Sequence, residues 1–282
     1  MNISYSEKTM HVSGVEFDPQ LTLIDSAQAF HWKKDGESFS GHSAGRFVRL
    51  SPAADGFSLT GIEEKDIPFW KNYFDLERDY GEVFDACADY PVARQAVLLL
   101  PGLRVLNQPV WEALIAFILS ANNNVSRIRQ LVERLIVQVG GNEGFPSAEQ
   151  LSAVSETELR EMGCGYRAPY LIRTACMIKE GFPLEALRTM SYGEAHRMLI
   201  TLPGVGDKVA DCVQLFGLGH SEAFPVDVWV ERLMKNWFMP DARTKKEICE
   251  RAHKMFGRYA GLVQQSLFHC ARLGLMPMEN IL

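Results

Sequence analysis

Apolar and polar residues alternate in short runs over the first sixty positions, and turn-forming residues separate the runs. Runs of strand length joined by Asp-Gly pairs are typical of antiparallel strands with tight turns. The pattern therefore predicts a meandering antiparallel sheet over residues 1 to about 60. The predicted strands and turns are Leu21–Ile24, Ala29–Trp32, the turn Asp35-Gly36, Arg46–Leu50, the turn Asp55-Gly56 and Phe57–Leu59.

From residue 67 onward the apolar period lengthens to that of a helix. An aromatic stripe within Ile67–Tyr90 is predicted to be core that closes the sheet against a helical body. Pro91 and Pro109 stand where helices begin. The predicted fold class is α+β, with an N-terminal antiparallel β-sheet subdomain (residues 1–90) packed on a mainly α-helical body (residues 91–282).

The helical body contains an amphipathic helix, the turn LPGVG and a second helix, which predict a helix-hairpin-helix over about residues 192–218. The proline of the turn stops the first helix, and the two glycines permit a tight hairpin. The amides of Gly204, Val205 and Gly206 and the positive end of the helix dipole then suit a phosphate. A plain corner between two helices is the alternative interpretation.

Lys208 and Asp227 stand at the starts of two neighbouring helices. The dipole at a first helical turn disfavours an ammonium, so this position favours Lys208 as a neutral, nucleophilic amine. Asp227 ends the loop 219–227, and an ordinary N-cap is its alternative role. An amine and a carboxylate beside a phosphate site suggest chemistry on a nucleic-acid sugar.

The sequence LPGVGDKVADC (residues 202–212) followed by PVD (residues 225–227) resembles the hairpin and catalytic Asp of the helix-hairpin-helix DNA glycosylase superfamily. Within it, the chain most resembles the 8-oxoguanine DNA glycosylases of the eukaryotic type. The resemblance covers most of the chain in ordered blocks. The further blocks are Leu23–Trp32, Gly102–Arg129, Met162–Tyr170 and Tyr259–Phe268.

The resemblance implies a bifunctional DNA glycosylase and apurinic/apyrimidinic-site lyase that excises 8-oxoguanine from duplex DNA in base excision repair. Lys208 would attack C1′ of the sugar and form a Schiff base, while Asp227 would stabilise positive charge there. No cofactor and no catalytic metal are implied, and the one metal site left open is a structural cation at the hairpin carbonyls. The implied partner is double-stranded DNA containing oxidised guanine.

The resemblance also assigns the flipped base to four residues. The Ala27 carbonyl would accept N7–H of 8-oxoguanine, Gln264 would read the Watson–Crick edge, and Cys212 and Phe268 would stack on the two faces. A buried structural thiol at Cys212 and a core stripe through Phe268 are the alternatives from the residues alone.

Four more residues are implied at the gap that the flipped base leaves. Asn122 would enter the stack, Arg127 would bind the widowed cytosine, Tyr166 would wedge the duplex open, and Arg167 would contact the widowed base. From the residues alone, the triple Asn would make a good linker. Residues 163–167 are predicted to be a flexible loop that presents an aromatic residue and a cation, with a helix C-cap that carries surface residues as the alternative.

Three positions depart from the eukaryotic-type pattern. Ala27 stands where Gly is usual, Trp229 where His is usual, and Leu273 where a second cytosine-reading Arg is usual. We expect looser opposite-base selectivity, with cytosine still preferred because Arg127 and Arg167 remain.

The net charge of −6 argues against a generic nucleic-acid binder. The acidity lies in residues 1–100, which carry 9 Lys/Arg against 16 Asp/Glu, whereas residues 101–282 carry 20 against 19. A nearly neutral body predicts modest, salt-sensitive affinity for DNA.

Other functions remain open. An alkylpurine glycosylase shares the sheet, the helical body and the Asp but lacks the Lys, so Lys208 argues against it. Adenine and oxidised-pyrimidine glycosylases carry a four-Cys iron–sulfur cluster, whereas the six cysteines here include no CxxC pair. A catalytically inactive DNA-binding protein would leave Lys208, Asp227, Gln264 and Phe268 without a shared purpose.

The sequence also bears on location. No signal-peptide pattern stands at the start, and no uncharged run approaches the ~20 residues of a membrane span. We expect a cytoplasmic monomer, nucleoid-associated in a bacterium, with no membrane partner.

Overall fold

The N-terminal part of the chain is a six-stranded antiparallel sheet with strand order β1-β2-β6-β5-β4-β3. The structure is a computed structural model, which describes residues 1–141 and 144–276. The end of the predicted body, residues 277–282, therefore lies outside the described residues. The strands are β1 (Asn2–Ser6), β2 (Thr9–Ser13), β3 (Lys33–Asp35), β4 (Ser38–Ser43), β5 (Arg46–Ala53) and β6 (Gly56–Thr60).

The sheet buries one face, as alternation along its strands predicts. β2 pairs with β6 so that Met10 lies opposite Leu59 and Val12 lies opposite Phe57, and all four side chains are buried. Because the side-chain period of a strand is 2, this register keeps the apolar set on a single side. The β2–β6 pairing thus joins the first hairpin to the later strands.

Two predicted strands are wrong. Leu21–Ile24 lies in a wide helical turn, Gln20–Asp25, in which Ser26 N donates to Leu21 O at 2.9 Å. Ala29–Trp32 has no regular structure. Short apolar runs do not distinguish strands from other buried segments, and these two are apolar because they fill the junction between sheet and helices.

The aromatic stripe after residue 67 is core, as predicted, although its helix ends at Tyr73 and a second one begins at Gly81. Trp70, Tyr73 and Phe74 are fully buried against the sheet. Tyr73 accepts a hydrogen bond from Trp32 Nε1 at 2.9 Å. The stripe therefore fixes the sheet against the segment that leads into the helical body.

Thirteen helices follow one another in the described part of the chain. The predicted helix starts at Pro91 and Pro109 are confirmed within a residue. The helices are α1 (Ile67–Tyr73), α2 (Gly81–Asp85), α3 (Pro91–Leu98), α4 (Val110–Ser120), α5 (Val125–Gln138), α6 (Ala148–Ser152), α7 (Glu156–Glu161), α8 (Ala168–Lys179), α9 (Tyr192–Leu199), α10 (Asp207–Val213), α11 (Val228–Trp237), α12 (Lys245–Phe256) and α13 (Ala260–Arg272).

Helix α4 lies at the centre of the body, and its residues 112–119 are all buried. Glu112 on this helix accepts hydrogen bonds from Ser43 Oγ at 2.8 Å and from Ala44 N at 2.7 Å. These bonds tie the end of β4 to the body. Burial raises the pKa of Glu112 to about 7, against the opposing effect of both donors.

The division of the chain at residue 90 stays a prediction. Phe30, from the N-terminal part, packs in the helical core, and Leu106, from the body, packs in the core of the sheet. None of the helices in residues 1–141 and 144–276 is both long and apolar enough to cross a membrane.

Candidate active site

The hairpin between α9 and α10 has the backbone that its glycines predict. Gly204 has φ +79°, and a Cβ there would lie 2.9 Å from the Tyr170 side chain. Val205 is buried, and its amide donates to Leu202 O at 3.1 Å. Gly206 is exposed and is the N-cap of α10, whose first amides have no capping side chain. The N–H groups that suit an anion are therefore those around Gly206, and the amide of Val205 is already bonded.

Lys208 is the second residue of α10 and is half-buried. Its Nζ donates to Ser120 Oγ at 3.0 Å and lies 5.4 Å from the centroid of the Phe117 ring. Ser120 Oγ donates in turn to Phe117 O at 2.7 Å. The last turn of α4 therefore holds the amine in place.

Asp227 is an N-cap, as its alternative interpretation has it. Its Oδ1 accepts a hydrogen bond from Val230 N at 2.8 Å at the start of α11. The same residue lines a cavity, which a purely structural cap has no need to do. The cap uses only Oδ1, so the second carboxylate oxygen, Oδ2, takes no part in this hydrogen bond.

A cavity of about 120 Å³ brings the two candidate catalytic residues together. Lys208 and Asp227 both line it, from two different helices. Its volume is of the order of the ~150 Å³ cavity that binds a benzene ring. The other lining residues are Ser26, Ala27, Phe30, Phe117, Ser120, Asn123, Val125, Ile128, Cys212, Phe216, Pro225, Val230, Gln264, Gln265 and Phe268.

All four residues assigned to the flipped base line this cavity. Cys212 is buried, and burial raises its pKa to about 11 although the charge of Lys208 opposes the rise. Its sulfur is therefore a neutral thiol near pH 7. Gln264 is buried on α13, and Phe268 follows one helical turn later and is half-buried. An aromatic ring and a thiol can enclose a flat apolar ligand, and the amide can read its polar edge.

Ala27 has a backbone conformation that alanine rarely adopts, with φ +53°. The segment that leads into it is anchored from two sides. Arg129 donates to Ile24 O, and Arg272 donates to Asp25 O at 2.8 Å. Helices α5 and α13 thus set the position of the Ala27 peptide at the cavity wall.

The predicted gap residues form a second cluster, and none of them lines the cavity. Asn122 is exposed with φ +48°, and its Nδ2 donates to Tyr166 Oη at 3.2 Å. Tyr166 is 46% exposed and donates to Ala121 O at 3.1 Å. Arg127 is exposed and donates to Gly163 O at 3.3 Å. The exposed amide, phenol and guanidinium therefore sit on neighbouring loops.

Arg167 does not have the exposed position that the sequence suggests. It is buried in a tight helical turn, Gly165–Arg167. Its Nε donates to Ala121 O at 2.9 Å and its Nη2 to Asn122 O at 3.0 Å, and the guanidinium lies 4.4 Å from the Tyr166 ring centroid. The prediction of a flexible loop is wrong, because the segment is a helical turn whose buried guanidinium bonds the carbonyls of the turn between α4 and α5.

Sequence reasoning did not identify several lining residues. Ser120, which bonds Lys208, has no motif of its own, since its role depends on the end of α4 meeting the start of α10. Gln265, next to Gln264, also lines the cavity, and the adjacency of two amides on a buried helical face was a signal that could have revealed it.

Within residues 1–141 and 144–276, no three His, Cys, Asp or Glu side chains lie close enough to hold a metal ion together. The structural cation at the hairpin stays a prediction, because its ligands would be backbone carbonyl oxygens and not these side chains.

Two family models cover most of the chain. Residues 9–114 match the 8-oxoguanine DNA glycosylase N-terminal domain, and residues 115–258 match the HhH-GPD superfamily of base excision DNA repair proteins. The N-glycosylase/DNA lyase OGG1 of Arabidopsis thaliana is 35% identical over 88% of this chain and 77% of its own length.

Two solved structures share the whole architecture. MBOgg1 in complex with a low-affinity DNA ligand has a TM-score of 0.92 and 31% identity, over 98% of this chain and 99% of that one. The 8-oxoguanine glycosylase/lyase of Clostridium acetobutylicum, in complex with DNA that has cytosine opposite 8-oxoguanine, has a TM-score of 0.90 and 28% identity, over 98% and 99%. The chain therefore belongs to the 8-oxoguanine DNA glycosylase family of the HhH-GPD superfamily.

Proposed function

We propose that this protein excises 8-oxoguanine from duplex DNA and then nicks the strand through a Schiff base on Lys208. One observation carries the proposal: Lys208 and Asp227, from two helices, line the same cavity as Cys212, Gln264 and Phe268. The membership of the family and the lyase names of its relatives support the same activity.

The base enters the cavity only after it leaves the helical stack, which costs a few kcal/mol. The Ala27 carbonyl accepts a hydrogen bond from N7–H of 8-oxoguanine, whereas guanine has a lone pair at N7. With guanine in the pocket, a hydrogen bond worth ~0.5–1.5 kcal/mol is lost, and two acceptors, the Ala27 carbonyl and N7, face each other instead. Cys212 and Phe268 enclose the ring, and Gln264 meets its Watson–Crick edge.

The chemical step joins Lys208 to the sugar. Its neutral amine attacks C1′, the C1′–N9 bond breaks, and the base leaves with the bonding electrons and is then protonated. The attached nitrogen gives up one proton, and the C1′–O4′ bond then opens as O4′ takes up a proton, which leaves a protonated imine between Lys208 and C1′. The Asp227 carboxylate stabilises positive charge at C1′ during these steps. Loss of a C2′ proton from the imine then expels the 3′ phosphate oxygen and nicks the strand.

The hairpin and the cluster of gap residues hold the DNA around this step. Amides around Gly206 and the start of α10 contact a phosphate. Asn122 and Tyr166 fill and wedge the gap, and Arg127, which is exposed, reads the widowed cytosine. Arg167 meets that base only if it releases the carbonyls of Ala121 and Asn122, so we propose that Arg127 provides most of the cytosine preference.

Borohydride trapping tests the nucleophile. Reduction of the imine should give a covalent adduct between the wild-type protein and an 8-oxoguanine duplex, and Lys208→Gln should give neither adduct nor excision. Lys246→Gln is the matched control, because Lys246 is an exposed lysine on α12, and it should trap like the wild type. An adduct with Lys208→Gln would show that the nucleophile is another residue.

A further inference from the structure

Three polar side chains form a buried chain on one face of α13. Gln264, Gln265 and His269 are 4%, 5% and 1% exposed. Gln265 Nε2 donates to Gln264 Oε1 at 2.8 Å, and His269 Nε2 lies 3.3 Å from Gln265 Oε1. Gln264 and Gln265 line the active-site cavity, so the chain runs from the protein interior to the lesion pocket.

The donors and acceptors in this chain favour one direction. With Gln265 Oε1 facing the ring, the proton between His269 and Gln265 belongs to His269 Nε2, because an amide oxygen only accepts. Burial first, and then the charge of Arg272, lower the pKa of His269 to about 3 against a smaller effect of the Ser26 backbone, so the ring is neutral near pH 7. A neutral ring with its proton on Nε2 has a bare lone pair on Nδ1.

The opposite direction is less favourable. It would require His269 to accept at Nε2 and to carry its proton on Nδ1. That atom is buried, and the Ser26 backbone, which comes near enough to the ring to oppose the lowered pKa slightly, makes no hydrogen bond of ordinary geometry with it. A buried N–H without a partner is rarer in proteins than an acceptor without one. The environment of Nδ1 therefore favours the direction in which His269 donates to Gln265 and Gln265 donates to Gln264.

This direction decides which end of the Gln264 amide is left for a ligand. Its oxygen accepts from Gln265, and its amide nitrogen makes no hydrogen bond within the described part of the chain. This nitrogen is unpaired and is nevertheless still accessible to solvent. The NH₂ group is thus the part of the amide that is available to a ligand in the cavity.

We propose that Gln265 and His269 are positioning residues that hold the NH₂ group of Gln264 toward the lesion pocket, so that the pocket selects purines with an acceptor at C6. This inference rests on the proposed function. Guanine and 8-oxoguanine have the acceptor O6, whereas adenine and 8-oxoadenine have the donor N6–H₂ at the same place. Without Gln265, the amide of Gln264 can turn over and accept from the adenine type.

The test compares excision of 8-oxoguanine and 8-oxoadenine, which share N7–H and differ at the Watson–Crick edge. Single-turnover rates are measured with saturating protein, and unfolding in urea is followed for every variant. Gln265→Met, which keeps the side-chain length and removes both polar atoms, should lower the 8-oxoguanine preference about tenfold, the order of one lost hydrogen bond. His269→Leu should lower it similarly, and the double variant should lower it no further, because both act through one chain.

Ser266→Ala is the matched control. Ser266 is buried on the same helix, bonds the Leu262 carbonyl and does not line the cavity. Ser266→Ala should keep the wild-type ratio of the 8-oxoguanine excision rate to the 8-oxoadenine excision rate. In a Gln264→Met background, Gln265→Met should leave the ratio unchanged, because the side chain that it positions is gone.

The outcomes separate the two proposals. If the wild type excises neither base, the proposed function fails. If it excises 8-oxoguanine but Gln265→Met lowers both rates equally, Gln265 is merely structural and the positioning role is overturned. A wild type that does not distinguish the two bases would also overturn it.

Discussion

Two residues of the candidate site have left-handed backbones, with φ +53° at Ala27 and +48° at Asn122. Asparagine adopts this conformation readily, whereas the Cβ of alanine makes it costly. This cost explains why glycine is usual at the position of Ala27 in the family that the chain resembles. Alanine keeps the conformation because Arg129 and Arg272 anchor the preceding carbonyls.

Ala27→Gly should therefore raise the free energy of unfolding by about 0.5–1 kcal/mol. Relief of a left-handed alanine gains ~1–2 kcal/mol, and the greater freedom of glycine in the unfolded chain offsets ~0.4–1 kcal/mol of it. Urea denaturation measures the difference. Ala29→Gly is the control, since Ala29 is buried without a left-handed backbone, and it should lower stability. Equal losses in both variants would contradict strain at Ala27.

Asp227 has two roles that one substitution can separate. Asn caps helices about as well as Asp, so Asp227→Asn should change the free energy of unfolding by less than ~1 kcal/mol. Excision should fall by about 10²-fold or more, because the amide has no charge to stabilise the sugar. Urea denaturation and single-turnover excision of 8-oxoguanine are the two measurements. An active Asp227→Asn protein would reduce Asp227 to a cap.

At the scale of elements, the hairpin depends on close contact between α8 and the turn that joins α9 to α10. Tyr170 packs against Gly204 so closely that a Cβ has no room, and Thr174 on the same helix donates to Pro203 O at 3.1 Å. Gly206, by contrast, has an extended backbone and open space around it. The two glycines of LPGVG therefore meet different demands, one of packing and one of access.

Gly204→Ala should lower the free energy of unfolding by about 2 kcal/mol or more, because a left-handed alanine alone costs ~1–2 kcal/mol and the contact with Tyr170 adds to it. Gly206→Ala should cost less than ~1 kcal/mol, since Ala is only a poorer N-cap than Gly. Thermal or urea unfolding of the pair checks this. Equal costs would show that Tyr170 can move aside.

The α4–α5 turn is also built by a neighbouring element. Arg167 and Tyr166 bond the carbonyl of Ala121, and Tyr166 accepts from Asn122. The resemblance predicted that these side chains act together at the DNA gap. Their mutual bonds could not be predicted from the sequence, because two loops separated by more than forty residues must meet before such bonds form.

Over the whole molecule, the buried carboxyl of Glu112 links stability to pH. Its pKa is about 7 in the folded protein and 4.5 in an unperturbed chain. The folded state thus binds this proton more tightly, and Glu112 makes stability fall as pH rises from 4.5 to about 7, with no further change above. Asp211, whose pKa burial also raises to about 7, acts in the same direction.

Glu112→Gln removes this titration. The free energy of unfolding of the variant minus that of the wild type should therefore increase by about 3 kcal/mol between pH 4.5 and pH 8, at 1.36 kcal/mol per pH unit. Urea denaturation at several pH values measures the difference. Glu161→Gln, at an exposed carboxyl, controls for the loss of one charge. A difference that does not change with pH would show that Glu112 is ionised throughout.

Helix starts and the hairpin followed from local patterns, because caps, prolines and glycines act within one turn of the chain. The strands at Leu21–Ile24 and Ala29–Trp32 were wrong for the opposite reason. Their buried side chains pack against the aromatic stripe, and Arg129 of α5 donates to the carbonyls of Ile24 and Trp32. Such distant partners leave no mark on a run of four residues.

The amino-acid order alone predicted the hairpin and the candidate amine and carboxylate, since each belongs to a short motif with its own backbone requirement, and the residues of the base slot followed from the family resemblance. Folding in three dimensions set what those motifs face: Ser120 at the amine, Gln265 and His269 behind Gln264, and the burial of Arg167. Those contacts arise between segments far apart in the chain, where the free energy of packing and of pairing buried polar groups, and not local preference, selects the neighbour.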